Sequence, residues 1–125
     1  MLDGAHLVGF VATSDLRVAD AFYGDLLGLA RVASTPLAHV YDVSGAQLCV
    51  VRADHPEPTG QTVLAWSVDD LSATVARMRA AGIELIVYTG LEQDDDAAWT
   101  SPSGARVVWF NDPEGHILSI MQSLS

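Results

Sequence analysis

Cysteine is almost missing from this chain of 125 residues: Cys49 stands alone, so no disulfide can staple the fold from within. Basic residues are scarce as well. Six of them face sixteen acidic ones, a formal net charge of −10. A surface of that sign repels phosphate backbones and anionic lipid, which argues against nucleic-acid and membrane partners. No charged-then-apolar leader opens the chain and no long apolar run interrupts it, so the sequence reads as a soluble cytoplasmic protein. Hydrophobic residues, by contrast, make up half of the chain, enough for one domain, or two small halves sharing a core.

Turn chemistry divides what remains. Asp112-Pro113-Glu114-Gly115 joins a proline that presets φ, acidic side chains that bond nearby backbone, and a glycine that accepts φ > 0. It reads as a tight hairpin between two flanks, 106–110 and 116–121, rich in valine, isoleucine and aromatics. Upstream, residues 5–13 form a strand pattern, and Ser14 or Asp15 can cap a helix whose stripe is Val18, Phe22 and Leu26 and whose end is Gly28. Strands are then expected over 29–34, 37–43 and 46–52, punctuated by Pro36 and Ser44-Gly45.

Residues 54–61, with Pro56 and Pro58, read as a linker between a first module of about 5–53 and a second of about 62–123. After the linker the order repeats. A strand is expected over 62–68, a cap at Asp69-Asp70, and a helix with the stripe Leu71, Val75 and Met78 that Gly82 ends. Further strands are expected over 83–88 and 97–101, separated by the acidic run 92–96, which reads as a solvated loop. Asp15-Leu16 answers Asp70-Leu71, Gly28 answers Gly82, and Gly45 answers Gly115. An internal duplication accounts for that correspondence.

Phe22-Tyr23-Gly24-Asp25-Leu26-Leu27-Gly28-Leu29 resembles the FY-x-D-x-LG run of the vicinal oxygen chelate superfamily, which includes glyoxalase I, extradiol dioxygenases and bleomycin-resistance proteins. Val68-Asp69-Asp70-Leu71 and Asp112-Pro113-Glu114-Gly115-His116 are similar to two more of its signatures. The resemblance implies an α+β fold of two βαβββ modules whose curved sheets form a cup, in a protein that is usually a homodimer. It also implies where metal-dependent relatives keep their ligands: seven residues before each capping Asp and four after each last-turn glycine. Those positions are Val8, Val63, Cys49 and Ser119 here. Two valines offer no lone pair, a neutral hydroxyl is a poor ligand, and one thiolate is not a site. The expectation is therefore a protein with no metal and no other cofactor.

If Val8 faces the cup, strand alternation sends His6 and Phe10 there too, with Gln47 and Cys49, Val63 and Ser67, and Ile117, Ser119 and Met121. Trp99, beside the acidic run, and Trp109, on the closing hairpin, add aromatic faces suited to flat or cationic guests. The same alternation turns Trp66 toward the helix and into the core, and separates His39 from Asp42. His55 reads as solvated, His116 as part of the turn. No residue is assigned a catalytic role. The function expected first is binding, and sequestration, of a small organic molecule, cationic ones included. The alternatives are a lyase, isomerase or dioxygenase using His6 or Cys49, and a structural dimer with a filled cup.

Overall fold

β-Branched and aromatic residues recur in short runs, and those runs pair. The computed structural model describes residues 1–123, and the chain divides between Pro58 and Thr59 into two compact units. The first contains β1 (Val8–Thr13), α1 (Leu16–Asp20), a π-helical turn (Ala21–Leu26), β2 (Ala30–Ser34), β3 (Ala38–Val43) and β4 (Ala46–Arg52). Its sheet has the order β1-β4-β3-β2, with β1 parallel to β4 and the other pairs antiparallel. The second contains β5 (Thr62–Ser67), α2 (Leu71–Ala80), β6 (Trp99–Thr100), β7 (Arg106–Asn111) and β8 (Ile117–Gln122). Its order, β5-β8-β7-β6 with β5 parallel to β8, is the same topology again. Two βαβββ units of one topology make an α+β fold, as the family resemblance implies, and their repetition matches the duplication read from the caps and glycines.

Local chemistry starts each helix. The Asp15 carboxylate accepts from the N–H groups of Arg17 and Val18, and the Asp70 carboxylate from that of Ala73. Each cap satisfies donors that the first turn leaves open. Period-two burial then sets the core. Val11 and Thr13, His39 and Tyr41, Leu48 and Val50 are buried on one face of the first sheet, and Ala19, Phe22 and Tyr23 of its helical segment are buried with them. In the second unit Val108, Phe110, Leu118 and Ile120 are buried, as are Leu71, Val75 and Met78 of α2. Each Val, Leu, Ile, Phe or Met among them contributes roughly 1.5–3 kcal/mol on leaving water.

Several boundaries differ from the sequence reading. β1 begins at Val8 because Ala5 N–H closes a turn on the Leu2 carbonyl, and only the Leu7 carbonyl reaches Gln47 of β4. The first helix is α-helical only to Asp20, then widens, and Leu27 N–H bonds the Phe22 carbonyl. Residues 83–88 form no strand. Ile86 donates to the Trp109 carbonyl, but Tyr88 N–H and the Ile86 carbonyl are taken by the Gln93 side chain. The strand expected over 97–101 contracts to the two residues of β6. Trp66 is half-buried, not a core residue, although its ladder partner Ile120 is buried.

Candidate functional site

Alternation leaves each sheet one face free of its own helix. In the first unit Val8 stands opposite Gln47 and Phe10 opposite Cys49, with Val40 on the far side of Cys49. Val8 is 44% and Phe10 66% exposed, and the Cys49 thiol is half-buried. His6 precedes β1 and is exposed. Val8, Phe10, Gln47 and Cys49 are thus neighbours on two adjacent strands of one sheet, while His6 lies before the first of them.

The second unit builds a richer surface. Ser119 lies between Ala65 and Trp109, and Met121 between Ser67 and Val107, whose other neighbour is Trp99. Two rows running across the strands therefore place Ser67, Met121, Trp99, Ser119 and Trp109 on one face. The rings of Trp99 and Trp109 are 6.1 Å apart and tilted by 35°, and Tyr88 meets Trp109 edge-on at 5.3 Å. Ser119, at 3% exposure, places a hydroxyl opposite Trp109. Ile117 pairs with Thr62 one row further along. Val63 takes no ladder position, being the extra residue where the register shifts between Thr62 and Leu64. Tyr88 was not among the residues singled out from the sequence, where it closes a strand-like run with nothing to show that its ring turns toward Trp109.

A built loop supports this face. The acidic run was read as solvated, yet two of its carboxylates are engaged. Asp94 accepts from the N–H groups of Asp96 and Ala98 and from Arg106, while Asp96 accepts from the Ser72 hydroxyl and from Arg106. Arg79 donates to the Asp95 carbonyl. Burial acts to raise the Asp94 carboxyl, but the Ala98 N–H, Arg106 and the Asp96 N–H outweigh it and hold it below the ordinary value. The Ser72 hydroxyl, then Arg106, lower Asp96 likewise. Between this loop and β6 opens a hollow of about 400 Å³ bounded by Glu92, Gln93, Asp94, Ala98, Trp99 and Thr100.

Those shifts carry a pH prediction. A carboxyl depressed in the folded state stabilises it above its unfolded pKa, close to 3.9, and that contribution is lost as pH falls through the lower folded value. Tryptophan emission is expected to hold steady from neutrality to about pH 4 and to change below it as Asp94 and Asp96 take up protons. Asp94→Asn should remove part of that acid transition, which a pH titration of the fluorescence would reveal.

The remaining sequence candidates are placed as follows. His39 faces the core, with Nδ1 buried and without a hydrogen-bond partner, while Asp42 points to the exposed side of the same strand. His55 is exposed. His116 belongs to the turn, its N–H donating to the Asp112 carboxylate and its carbonyl accepting from Asp112 N–H. The four positions that the resemblance marks as ligand positions hold Val8, Val63, Cys49 and Ser119, and two valines, a neutral hydroxyl and one thiol are not a donor set for a divalent ion. Among the described residues no group of three or more His, Cys, Asp or Glu side chains could hold one. No helix among them is long and apolar enough to cross a membrane.

The repeated βαβββ topology has counterparts among known proteins. The structure of a lactoylglutathione lyase from Agrobacterium tumefaciens is similar with a TM-score of 0.75 and 21% identity, over 98% of this chain and 96% of that one. A glyoxalase-related enzyme from Fulvimarina pelagi gives 0.71 and 25%, over 94% and 86%. TioX from Micromonospora sp. ML1 gives 0.72 and 22%, over 97% and 100%. None of the curated proteins matches in sequence. The family model for the Glyoxalase/Bleomycin resistance protein/Dioxygenase superfamily matches residues 5–120. With nearly its whole length accounted for by that match and its fold shared with these structures, the chain belongs to the glyoxalase/bleomycin resistance protein/dioxygenase superfamily.

Proposed function

We propose that this protein binds a flat organic molecule, cationic ones included, without a metal, and holds it rather than transforming it. The observation that carries the reading is the cluster of Tyr88, Trp99 and Trp109 on the helix-free face of the second sheet, beside the Ser119 hydroxyl. Indole faces stack on planar guests and attract cations, each such contact being worth about 0.5–1.5 kcal/mol. Glu92 and Asp94 border the hollow next to Trp99 and favour positive charge. The wall is apolar with a few small polar groups, the usual composition of a small-molecule site. In this proposal Ser67, Ile117, Met121 and Val63 extend the wall in the second unit. The first unit offers a face of its own, with Val8, Phe10, Gln47 and Cys49 on paired strands and His6 just before them, and the working state is a homodimer.

Metal content and ligand binding test the reading together. Protein purified without chelator is expected to hold far less than one equivalent of iron, nickel, manganese or zinc. Proflavine, a planar aromatic cation, is expected to quench its tryptophan emission saturably, and Trp109→Leu to weaken that binding about tenfold, equivalent to about 1.4 kcal/mol. Near-stoichiometric metal that is lost on His6→Ala would overturn the proposal. So would quenching that persists unchanged when both Trp99 and Trp109 are replaced by leucine, since Trp66 would then report a site elsewhere.

A further inference from the structure

We propose that Gln93 is the positioning residue of the aromatic face, the side chain through which the loop before β6 fixes Tyr88 and Trp99 against Trp109. The inference rests on the binding reading above and adds to it a device that no ligand need touch. A primary amide offers one strong acceptor and two donors, and Gln93 uses all three. Its Oε1 accepts from Tyr88 N–H at 2.8 Å, and its Nε2 donates to the Ile86 carbonyl at 3.0 Å and to the Ala97 carbonyl at 2.8 Å. One planar group thus bridges two stretches of chain, of which the first carries Tyr88 itself and the second leads, two residues on, to Trp99. Ile86 also donates to the Trp109 carbonyl at 2.8 Å. All three rings are therefore referred to a single amide within two residues of each anchor.

Two further observations separate this from an ordinary loop contact. Residues 83–88 have no ladder to set their register, so the Gln93 amide takes the place of a neighbouring strand at Tyr88. Ala97 is held at a φ of +59°, a left-handed conformation that a side chain disfavours. Its N–H bonds the Asp94 carbonyl and its own carbonyl the Gln93 amide. A disfavoured backbone persists only where its surroundings over-determine it. Here the consequence is the direction in which the chain enters β6 and delivers Trp99 to Trp109. Methionine at this position would keep the length and lose all three bonds. Glutamate would keep the acceptor for Tyr88 and lose both donors.

The test compares Gln93→Met and Gln93→Glu with Asp96→Ala, which loosens the loop through Arg106 and Ser72 without touching the Gln93 bonds. Thermal stability, the tryptophan–tryptophan circular-dichroism couplet and proflavine affinity are read for each. Stability is expected to fall in all three. The couplet is expected to vanish, and proflavine affinity to fall about tenfold, equivalent to about 1.4 kcal/mol, only in the Gln93 variants. If Gln93→Met does not fold, Gln93→Glu decides. A native protein without the couplet, a couplet that survives in Gln93→Glu, or an equal loss in Asp96→Ala would overturn the assignment. If native protein fails to bind proflavine the binding reading falls, while the couplet still tests Gln93.

Discussion

Gly115→Val is expected to destabilise the second unit by about 3 kcal/mol, through a β-branched residue forced into a backbone conformation that glycine alone adopts freely. Gly115 sits at φ +91° and closes a turn held by several hydrogen bonds. Its N–H donates to the Asp112 carbonyl, and Asp112 N–H donates to the His116 carbonyl. The buried Asp112 carboxylate accepts from the N–H groups of Glu114 and His116. The effect reaches function because this hairpin sets the register that puts Trp109 opposite Ser119. Thermal denaturation checks the prediction, with Gly115→Asn as a milder comparison, since asparagine tolerates positive φ better than valine. A melting temperature unchanged by valine would mean the turn has another conformation in solution.

The same hairpin shows what can be read without a structure. Its proline, acids and glycine act within a few residues of themselves, so local chemistry suffices to place it. The duplication was legible for a related reason: the Asp15 and Asp70 caps and the glycines after each helix recur at matching places, and the two sheets share one strand order. Alternation likewise separated Leu48 and Val50 from Cys49. Residues 83–88 defeat this approach because their apolar run suits a strand, while the group that displaces the ladder is an amide five residues beyond Tyr88. The acidic run misleads similarly. Its composition is that of a solvated loop, and the side chains that engage its acidic residues stand far off in sequence: Arg106, ten residues after Asp96, and Ser72 and Arg79 upstream. Tyr88 and the register shift beside Val63 belong with these, being set by partners distant in sequence.

In the first unit the same limit concerns Gly24, which lies inside a stripe that fits an ordinary helix but occupies a π-helical turn. A Cβ there would stand 2.8 Å from Oδ1 of Asp20 and 3.6 Å from the ring of Tyr41. That carboxylate accepts from the Tyr41 hydroxyl at 2.6 Å and from Arg31 at 3.0 Å, and Tyr41 is fully buried. Gly24→Val must therefore break or displace the network, at an expected cost of about 3 kcal/mol from overpacking and the lost hydrogen bond. Gly24→Ala should cost less, because a better helix former recovers about 1 kcal/mol. Alkaline titration gives a second readout. Burial first, then the hydrogen bond to Asp20 and its charge, push the Tyr41 phenol well above its ordinary value. A raised folded value stabilises fully below the unfolded pKa of about 10 and fades as pH climbs beyond it. Once valine separates the phenol from Asp20, that alkaline loss should become shallower but persist, because burial still raises the phenol, and it should vanish only in Tyr41→Phe, which has no phenol to titrate there. Denaturation midpoints and alkaline limbs matching the native protein would show that the turn relaxes around the new side chain and that Asp20 keeps its partners.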